Sequence, residues 1–408
     1  MRTKTHPIVD HASFAPRQLK LVFWDLYADP EDVSHWSGIT AMTLQGLRGA
    51  GAQVVTAGHV LPHLRRLISS ALWHYYKTVW DLHYIPDRHM AVTKVFSWLG
   101  RRKAQKPLAE ADAVITTSTT ATAFLKTNKP IFVIHDATWG QILELYPYFH
   151  SARQVPAVVR GGFEMEHQTL TRANVTMVLT SDWAANRAIL DHGLDCKRVH
   201  VLPLGANFFE DPPREQVERA IQARTGEHCN LLFVGREFDR KGGEIAVRAA
   251  AALRELGIAA TLHVVGCSPK GLPPWVQIHG LLRKDHKHEL SKLHSLYADS
   301  DFFILPTQAE AQGIVFNEAA AYGLPVIATE VGGVSSVVHS DWGLLLPKDT
   351  AGEQYAPWMA ELFRDRARYT AMAWRARDDY DARLSRTVYT ERLIAIIREV
   401  LDERKFST

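Results

Sequence analysis

Two glutamates in the C-terminal half of the chain have the type and spacing needed to bind sugar hydroxyls. Glu310 follows a short apolar run within residues 302–338, and Glu318 comes eight positions later in a helical segment predicted to begin near Gly313. A carboxylate accepts hydrogen bonds from paired hydroxyls, so a sugar ring and a ribose are suitable ligands for two such groups. Glycine at 313 lets backbone amides approach a phosphate. Taken alone, two glutamates at this spacing are more typical of an ordinary helix face.

A second segment, residues 231–243, adds two cations. The apolar run at 231–234 precedes a loop with Arg236 and Lys241, and two glycines then open a helix. In an open α/β sheet, ligands bind beyond the carboxyl ends of the strands, where a helix N-terminus presents free amides to anions. We therefore expect Arg236 and Lys241 to flank a phosphate group. The alternative is a surface loop with two solvated charges; the residue order is not that of a P-loop.

Two polar residues end an apolar run in the N-terminal half of the chain. His135 and Asp136 follow the run that begins after Pro130. Successive strand side chains point to opposite faces, so we expect only one of the two to face a cleft. Either side chain could polarise an acceptor hydroxyl or bond a sugar hydroxyl.

Short apolar runs that alternate with longer helical segments would position these residues. This alternation is typical of parallel sheets built from βαβ units. We predict an α/β fold with two sheets of similar size. The runs form two series, 21–26, 54–57, 113–117, 131–135, 175–179 and 199–202, then 231–234, 261–265, 276–279, 302–305, 326–329 and 343–346.

Glycine, asparagine and two prolines interrupt residues 204–213, between the two series. Such residues disfavour continuous regular structure. We therefore place residues 1–204 in a first domain and residues 205–386 in a second. Residues 387–401 have helical periodicity and no strand after them, so we expect a C-terminal helix over 387–408 that packs back on the first domain.

The composition excludes several classes of protein. A chain of 408 residues with 46% apolar residues is neither disordered nor fibrous, and a net charge of +3 is too small for a protein that neutralises nucleic acid along its surface. Its three cysteines are widely spaced, which indicates neither a disulfide framework nor a zinc ribbon. Residues 1–18 lack the apolar stretch of a secretory signal, and no run is long enough to span a membrane. We therefore predict a cytoplasmic protein that is either soluble or peripheral at the inner face of a membrane.

We expect no metal ion. Asp299 and Asp301 have D-x-D spacing, but they precede an apolar run and so lie at the amino end of a strand. His286 and His288 lack the H-E-x-x-H spacing of a zinc site, and neighbours such as Lys284 indicate a solvated helix.

Together these segments resemble the retaining glycosyltransferases of family 4, which have the GT-B architecture of two Rossmann-like domains with a cleft between them. The resemblance covers about residues 21–401 and is strongest over 175–338. It is carried by the segment VGREFDRKGG at 234–243, the Glu310-x7-Glu318 pair, GLPVIA at 323–328, Gly332-Gly333, and residues 180–207, which look like the family's domain-linking segment.

The resemblance implies roles for individual residues. Arg236 and Lys241 match the cations that bind the donor diphosphate. Glu310 matches the carboxylate that holds the donor sugar, and Glu318 matches the one that holds the nucleotide ribose. Further donor-binding positions by the same comparison are Gly38, in an N-terminal loop that faces the phosphates, and Gly313, Ile314 and Val315.

Two positions depart from the family pattern. The family commonly has a histidine at the position of Asp136, so we favour Asp136 as the cleft residue and His135 as its structural neighbour; a register shift of one residue would reverse this. Around the first glutamate the family reads Glu-Gly-Phe-Gly, whereas Ala311 and Gln312 follow Glu310 here. This second departure leaves the identity of the donor sugar open.

Residues 63–106 are rich in both cations and aromatic residues. They carry nine Lys or Arg against two Asp, interleaved with seven aromatic residues. This composition fits a helix lying on an anionic membrane surface, or a groove for a phosphorylated acceptor. The alternative is an ordinary helical insertion whose aromatic side chains pack inward.

The resemblance implies a metal-independent, retaining hexosyltransferase. Its donor would be a nucleotide diphosphate sugar bound mainly by the second domain. Its acceptor would be a hydroxyl of a glycan, a glycolipid or a lipid-linked saccharide bound by the first. No further cofactor and no nucleic-acid partner is expected. The rival functions are a non-catalytic GT-B binding or scaffold protein and a GT-B epimerase or phosphorylase.

Overall fold

The computed structural model describes residues 17–406 except Ser34, Phe209 and Thr225. Apart from residues 17 and 18, the segment predicted to lack a secretory signal lies outside these residues. The described chain contains two six-stranded sheets, which confirms the predicted α/β class. The strands are Lys20–Trp24 (β1), Gln53–Ala57 (β2), Ala113–Thr116 (β3), Ile131–His135 (β4), Val175–Leu179 (β5), Val199–Val201 (β6), Cys229–Val234 (β7), Ala260–Val265 (β8), Val276–Gly280 (β9), Phe302–Leu305 (β10), Val326–Glu330 (β11) and Gly343–Pro347 (β12).

All strand pairs in both sheets are parallel. The order is β2-β1-β3-β4-β5-β6 in the first sheet and β12-β11-β10-β7-β8-β9 in the second. The second order is that of a Rossmann fold, and it reverses direction between β7 and β10. In the first sheet the reversal falls between β1 and β3. Ligands of such sheets bind beyond the carboxyl ends of the strands at these reversal points.

Helices connect the strands and cover both faces of each sheet. Apolar residues on the helices pack against buried strand residues in one core cluster of the second sheet and in two clusters, one per face, of the first. The α-helices are Ile39–Gly49 (α1), Pro62–Trp80 (α2), Met90–Lys103 (α3), Gln105–Glu110 (α4), Trp139–Leu145 (α5), Pro156–Leu170 (α6), Asp182–His192 (α7), Arg214–Ala223 (α8), Gly243–Glu255 (α9), Lys287–Asp299 (α10), Ile314–Ala321 (α11), Ala356–Arg364 (α12), Arg366–Asp379 (α13) and Arg386–Phe406 (α14).

The C-terminal helix α14 returns to the first sheet, as the sequence predicts. Its residues Tyr389, Leu393 and Ile397 are fully buried in a core cluster of that sheet. The hydroxyl of Tyr389 also hydrogen-bonds that of Thr43 on α1 at 3.2 Å. We refer to the first sheet with its helices and α14 as the first lobe, and to the second sheet with its helices as the second lobe.

The chain crosses between the lobes twice, and the two crossings touch each other. The amide of Ala206 donates to the carbonyl of Leu384 at 2.8 Å, and Gly205 lies against the backbone of Arg386. The predicted domain boundary at residues 204–205 falls in the first crossing and stays a prediction.

None of the described helices is both long and apolar enough to span a membrane.

Candidate active site

The topology of the second sheet places its two predicted donor-binding loops side by side. β7 pairs with β10 although many residues separate them in the chain. The loop after β7 carries Arg236 and Lys241, and the loop after β10 carries Glu310. Because the carboxyl ends of parallel strands lie at the same edge, cations and carboxylate converge there.

Lys241 and Glu310 form an ion pair across these two loops. The Lys241 ammonium contacts Glu310 Oε2, and the side chains are only 13% and 10% exposed. Arg236 is exposed, and it makes no hydrogen bond or ion pair with any described residue. Arg236 is therefore the cation of this edge that is available to an incoming anion.

Glu318 is more deeply buried than Glu310 and has two polar partners. Its carboxylate on α11 is inaccessible to solvent, where it contacts the Lys284 ammonium and accepts a 3.0 Å hydrogen bond from the Tyr297 hydroxyl. Lys284 also donates to the carbonyl of Asn207 at 3.3 Å. The prediction that Lys284 belongs to a solvated helix is wrong, because α10 begins only at Lys287 and the preceding loop turns Lys284 into the site.

The N-terminus of α11 supplies the backbone part of the site. Gly313 precedes the helix with φ of +84°, a conformation that favours glycine. The first amides of a helix have no intrahelical partner. The amides of Ile314 and Val315 therefore lack intrahelical acceptors where these residues line the cavity, and their donor-binding roles stay predictions.

Gly38 lies on the opposite side, at the N-terminus of α1 in the first lobe. Its φ is +79°, and a Cβ atom there would lie 2.8 Å from Asn207 Nδ2 and 3.1 Å from the Val33 carbonyl. The preceding Trp36 and Ser37 also have positive φ, of 45° and 55°. Such a sparsely populated backbone run is typical of functional loops. The positive φ and these close contacts together favour glycine at position 38.

Asp136 and His135 lie at the end of β4, also in the first lobe. Asp136 lines the cleft and accepts a 3.3 Å hydrogen bond from the Trp36 indole, while His135 is 3.4 Å from its other carboxylate oxygen. The His135 ring stacks on Trp36 with centroids 5.7 Å apart. Burial raises the pKa of the Asp136 carboxyl, and the neighbouring His135 opposes this shift. The catalytic roles assigned to both residues stay predictions.

A cavity of about 670 Å³ between the lobes brings the predicted residues together. His135 alone of the predicted set does not line it, because Trp36 and Asp136 lie in front. Three further lining residues were not predicted to belong to the site, since no local motif marks them: Trp36, Tyr146 and Lys284. The predicted residues that line the cavity are Gly38, Asp136, Arg236, Lys241, Glu310, Gly313, Ile314, Val315 and Glu318.

The D-x-D pair lies at the amino end of β10, away from this cavity. Asp301 accepts a hydrogen bond from the Asn230 amide at 2.8 Å, which ties the start of β10 to β7. Across the part of the chain that the structure describes, no three His, Cys, Asp or Glu side chains form a metal-binding group.

Residues 63–106 comprise α2 from its second residue, α3, the connection between them and the first two residues of α4. No residue of α2, which is described throughout, is buried, and Leu67 and Trp80 are 69% and 62% exposed. On α3, Phe96 is buried, whereas Trp98 is half exposed and stacks beneath the Arg102 guanidinium. The alternative in which the aromatic side chains pack inward therefore holds for only part of the segment.

Comparison with solved structures defines the architecture as GT-B. The sucrose-phosphate synthase of Thermosynechococcus elongatus superposes with a TM-score of 0.66 and 16% identity, over 95% of this chain and all of that one. The Anabaena protein Alr3699/HepE, solved with UDP and glucose, superposes with a TM-score of 0.60 and 14% identity, over 93% of this chain and all of that one. Two Rossmann-like domains with a cleft between them are thus confirmed.

The sequence comparisons point to glycosyltransferases. Residues 228–365 match the family model described as Glycosyl transferases group 1. The D-inositol 3-phosphate glycosyltransferase of Nocardia farcinica is 30% identical over 233 residues, which are 52% of this chain and 49% of that one. The chain spans about half the length of the curated relatives it matches. The resemblance to GT-B glycosyltransferases is therefore confirmed.

Proposed function

We propose that the protein is a retaining glycosyltransferase that moves a hexosyl group from a nucleotide diphosphate sugar to a hydroxyl acceptor. A glycan, a glycolipid or a lipid-linked saccharide is the acceptor class. The observation that carries the proposal is the convergence of Arg236, Lys241, Glu310 and Glu318 on one cavity between two lobes. Relatives that are glycosyltransferases by name, and a structural neighbour with bound UDP and glucose, support it.

The cations would act on the leaving group. In a same-face reaction, the bond between the anomeric carbon and the diphosphate breaks, the acceptor oxygen bonds that carbon, and the acceptor proton passes to the departing diphosphate. Negative charge grows on the diphosphate during bond breaking, so Arg236 and Lys241 stabilise the transition state more than the bound donor. Glu310 would hold the sugar hydroxyls, and Glu318 with Lys284 would bind the ribose.

No metal ion is part of this proposal, because two side-chain cations and the α11 amides supply the charge that Mg²⁺ supplies elsewhere. Dialysis against EDTA should therefore leave turnover unchanged. A requirement for added Mg²⁺ or Mn²⁺ would remove this part of the proposal.

The acceptor would bind the first lobe beside Asp136. This carboxyl lies at the end of β4 and faces the cavity from the side opposite Glu310. In its ionised form it can accept a hydrogen bond from the attacking hydroxyl and orient it. Closure of the lobes would exclude water and limit donor hydrolysis.

A donor screen followed by turnover tests the function. Ligand binding raises thermal stability by mass action, so thermal shifts with UDP, GDP and ADP sugars should identify the base. Release of nucleoside diphosphate should then require an acceptor hydroxyl, and NMR of the product should show the donor's anomeric configuration. Absence of any nucleotide-dependent shift or turnover would leave the non-catalytic binding protein as the better explanation.

Glu310→Ala is the variant that tests the site within this assay. We expect a loss in kcat/KM of about 10²-fold or more, since a contact to the reacting sugar is removed. Glu330→Ala, on an exposed glutamate at the end of β11, is the matched control. Near-normal turnover of Glu310→Ala would exclude Glu310 from the mechanism.

We further propose that α2 and α3 bind an anionic membrane surface and so present the cleft to a lipid-linked acceptor. The exposed Leu67, Trp80 and Trp98 side chains lie among cations, which is the composition of interfacial helices.

Sedimentation of the protein with vesicles of phosphatidylglycerol tests this proposal, and it should be salt-sensitive. Leu67→Ser with Trp80→Ser should weaken it, whereas Leu190→Ser, at a 79% exposed position on α7, should not. Lack of binding at low salt would refute this proposal.

A further inference from the structure

Tyr146 reaches from the first lobe to the backbone beside the predicted sugar-binding carboxylate. It follows α5 directly, and its hydroxyl accepts a 3.1 Å hydrogen bond from the Ala311 amide. The Arg240 guanidinium lies over the Tyr146 ring, 5.4 Å from its centroid. Two independent contacts thus join one tyrosine to both donor-side loops of the second lobe.

The first lobe holds the base of Tyr146 firmly. α5 begins with a capping box in which the side chains of Thr138 and Gln141 each bond the other residue's amide. The fully buried Glu166 accepts the Trp139 amide with both oxygens, at 3.1 and 2.8 Å. Such satisfied buried polar groups make the short helix a rigid connection. Tyr146 is therefore fixed relative to Asp136, which precedes the same helix.

The second lobe holds the turn around Glu310 on its other sides. The Arg240 guanidinium donates to the Ala309 carbonyl at 2.6 Å, and the Gly333 amide donates to the Ala311 carbonyl at 2.9 Å. The Ala311 amide is instead bound from the first lobe, because it donates to the Tyr146 hydroxyl. The first lobe thus supplies one of the hydrogen bonds that hold this turn in place.

We infer that Tyr146 is a positioning residue that couples the approach of the lobes to the orientation of Glu310. When the lobes close, its hydroxyl bonds the Ala311 amide and fixes the carboxylate against the donor sugar; when they open, the bond breaks and the turn loosens. The donor sugar is then held for transfer only when the first lobe, which would bind the acceptor, is in contact with the second. This inference rests on the proposed function for its catalytic consequence, but the contact itself can be tested without a donor.

The protonation state of the Tyr146 hydroxyl decides whether it can donate a second hydrogen bond while it accepts this one. Burial raises the pKa of Tyr146, and the negative charges of Glu310 and Asp136 raise it further. The hydroxyl therefore stays protonated, and its proton is free to donate into the cavity that Tyr146 lines.

Tyr146→Phe separates the hydrogen bond from the ring. The variant keeps the ring beneath Arg240 and loses only the hydroxyl. Tyr148→Phe is the matched control, because Tyr148 lies two residues away with its side chain 53% exposed. In the free protein, hydrogen exchange of the peptide that covers residues 309–313 should be faster in Tyr146→Phe than in the wild type and unchanged in Tyr148→Phe.

In turnover, Tyr146→Phe should lower kcat about 10-fold while the donor KM changes less than about two-fold, since orientation rather than donor affinity is lost. The fraction of donor hydrolysed by water should rise relative to transfer. Wild-type exchange at 309–313 together with wild-type kcat in Tyr146→Phe would overturn the inference. A wild-type protein that turns over no donor would refute the proposed function instead, and the exchange experiment would still decide whether Tyr146 holds the turn.

Discussion

The two walls of the cleft differ in how their charges are arranged. On the second lobe, both carboxylates lie against lysines, Glu310 against Lys241 and Glu318 against Lys284. On the first lobe, Asp136 has neutral or titratable neighbours instead, the Trp36 indole and His135. No lysine or arginine of the described chain pairs with it.

Under the proposed function, this difference would fit the two walls to different parts of the reaction. A wall in which each carboxylate is paired with a lysine presents Arg236, Lys241 and backbone amides to the cavity, which would suit a diphosphate. A buried carboxylate without a cation has a raised pKa and can respond to pH or to the proton of a bound hydroxyl. Under the proposed function, the second lobe would bind the donor and the first would bind the acceptor.

Removal of a cation from the donor wall, by which we mean the second-lobe side of the cleft, should have the largest effect. Lys241→Ala deletes a charge at the diphosphate and leaves Glu310 unpaired, so we expect kcat/KM to fall about 10³-fold. Lys270→Ala, at an exposed position after β8, should leave kinetics unchanged. Steady-state rates of nucleoside diphosphate release measure both. A loss below about three-fold in Lys241→Ala would mean that the donor wall is not where the charge develops.

Removal of the carboxylate from the acceptor wall, the first-lobe side of the cleft, should reduce activity less than Lys241→Ala does. It should also alter the pH profile. Asp136→Asn should reduce transfer about 10²-fold without changing donor affinity. In the wild type, Asp136 gains a proton as pH falls through its raised pKa, so activity should drop on the acid side at a pH above the usual range of aspartate. Asp136→Asn should lack this drop in activity at low pH, which is the acid limb of the pH profile.

His135→Gln distinguishes the two strand-end residues in the same assay. Because Trp36 covers the His135 ring, this variant should lose less activity than Asp136→Asn and keep the acid limb. If His135→Gln is the more damaging substitution, the roles of the two residues are exchanged.

The sheets and the donor loops could be predicted from the sequence because their signals are local. Buried parallel strands have sequences that consist of short apolar runs. Each of the predicted runs overlaps a strand of the structure. Arg236, Lys241 and Glu310 follow such runs directly, so strand topology alone brings them together. The Gly38 loop was found only through the resemblance, since positive φ at Trp36 and Ser37 has no sequence signature.

Lys284 and Tyr146 line the cavity but could not be predicted from the sequence, because contacts distant in the chain determine where each of them lies. Lys284 lies in a loop whose charges look like those of a solvated helix, and its role depends on where α10 begins. Tyr146 contacts Ala311, which is 165 positions away and in the other lobe. No periodicity or spacing encodes a contact that depends on how two lobes meet.

Lys284→Met tests whether the paired donor wall also selects the nucleotide. If the lysine donates to a ribose hydroxyl that Glu318 accepts from, its loss should raise the donor KM about 10-fold with little change in kcat. The preference for a ribonucleotide over its 2′-deoxy analogue should shrink in parallel. Lys287→Met, at the exposed start of α10, is the control. An unchanged KM and an unchanged preference would show that Lys284 only balances the charge of Glu318.

The smallest expected effect comes from a pair of histidines in the second lobe, outside the cleft. His263 on β8 and His279 on β9 have ring nitrogens 3.1 Å apart, and burial, followed by the charge of His279, lowers the pKa of His263 to about 4. Between about pH 6.5 and 4 the unfolded chain binds a proton that the folded one does not, so folding stability should fall as pH falls through this window. Relative to the intrinsic exchange rate, which itself falls with pH, the β8–β9 peptides should therefore lose protection on acidification, and His263→Gln should reduce this loss. Equal acid sensitivity in the wild type and His263→Gln would mean that other groups control the acid response of the second lobe, and the contrast between the lobes would then be confined to the cleft.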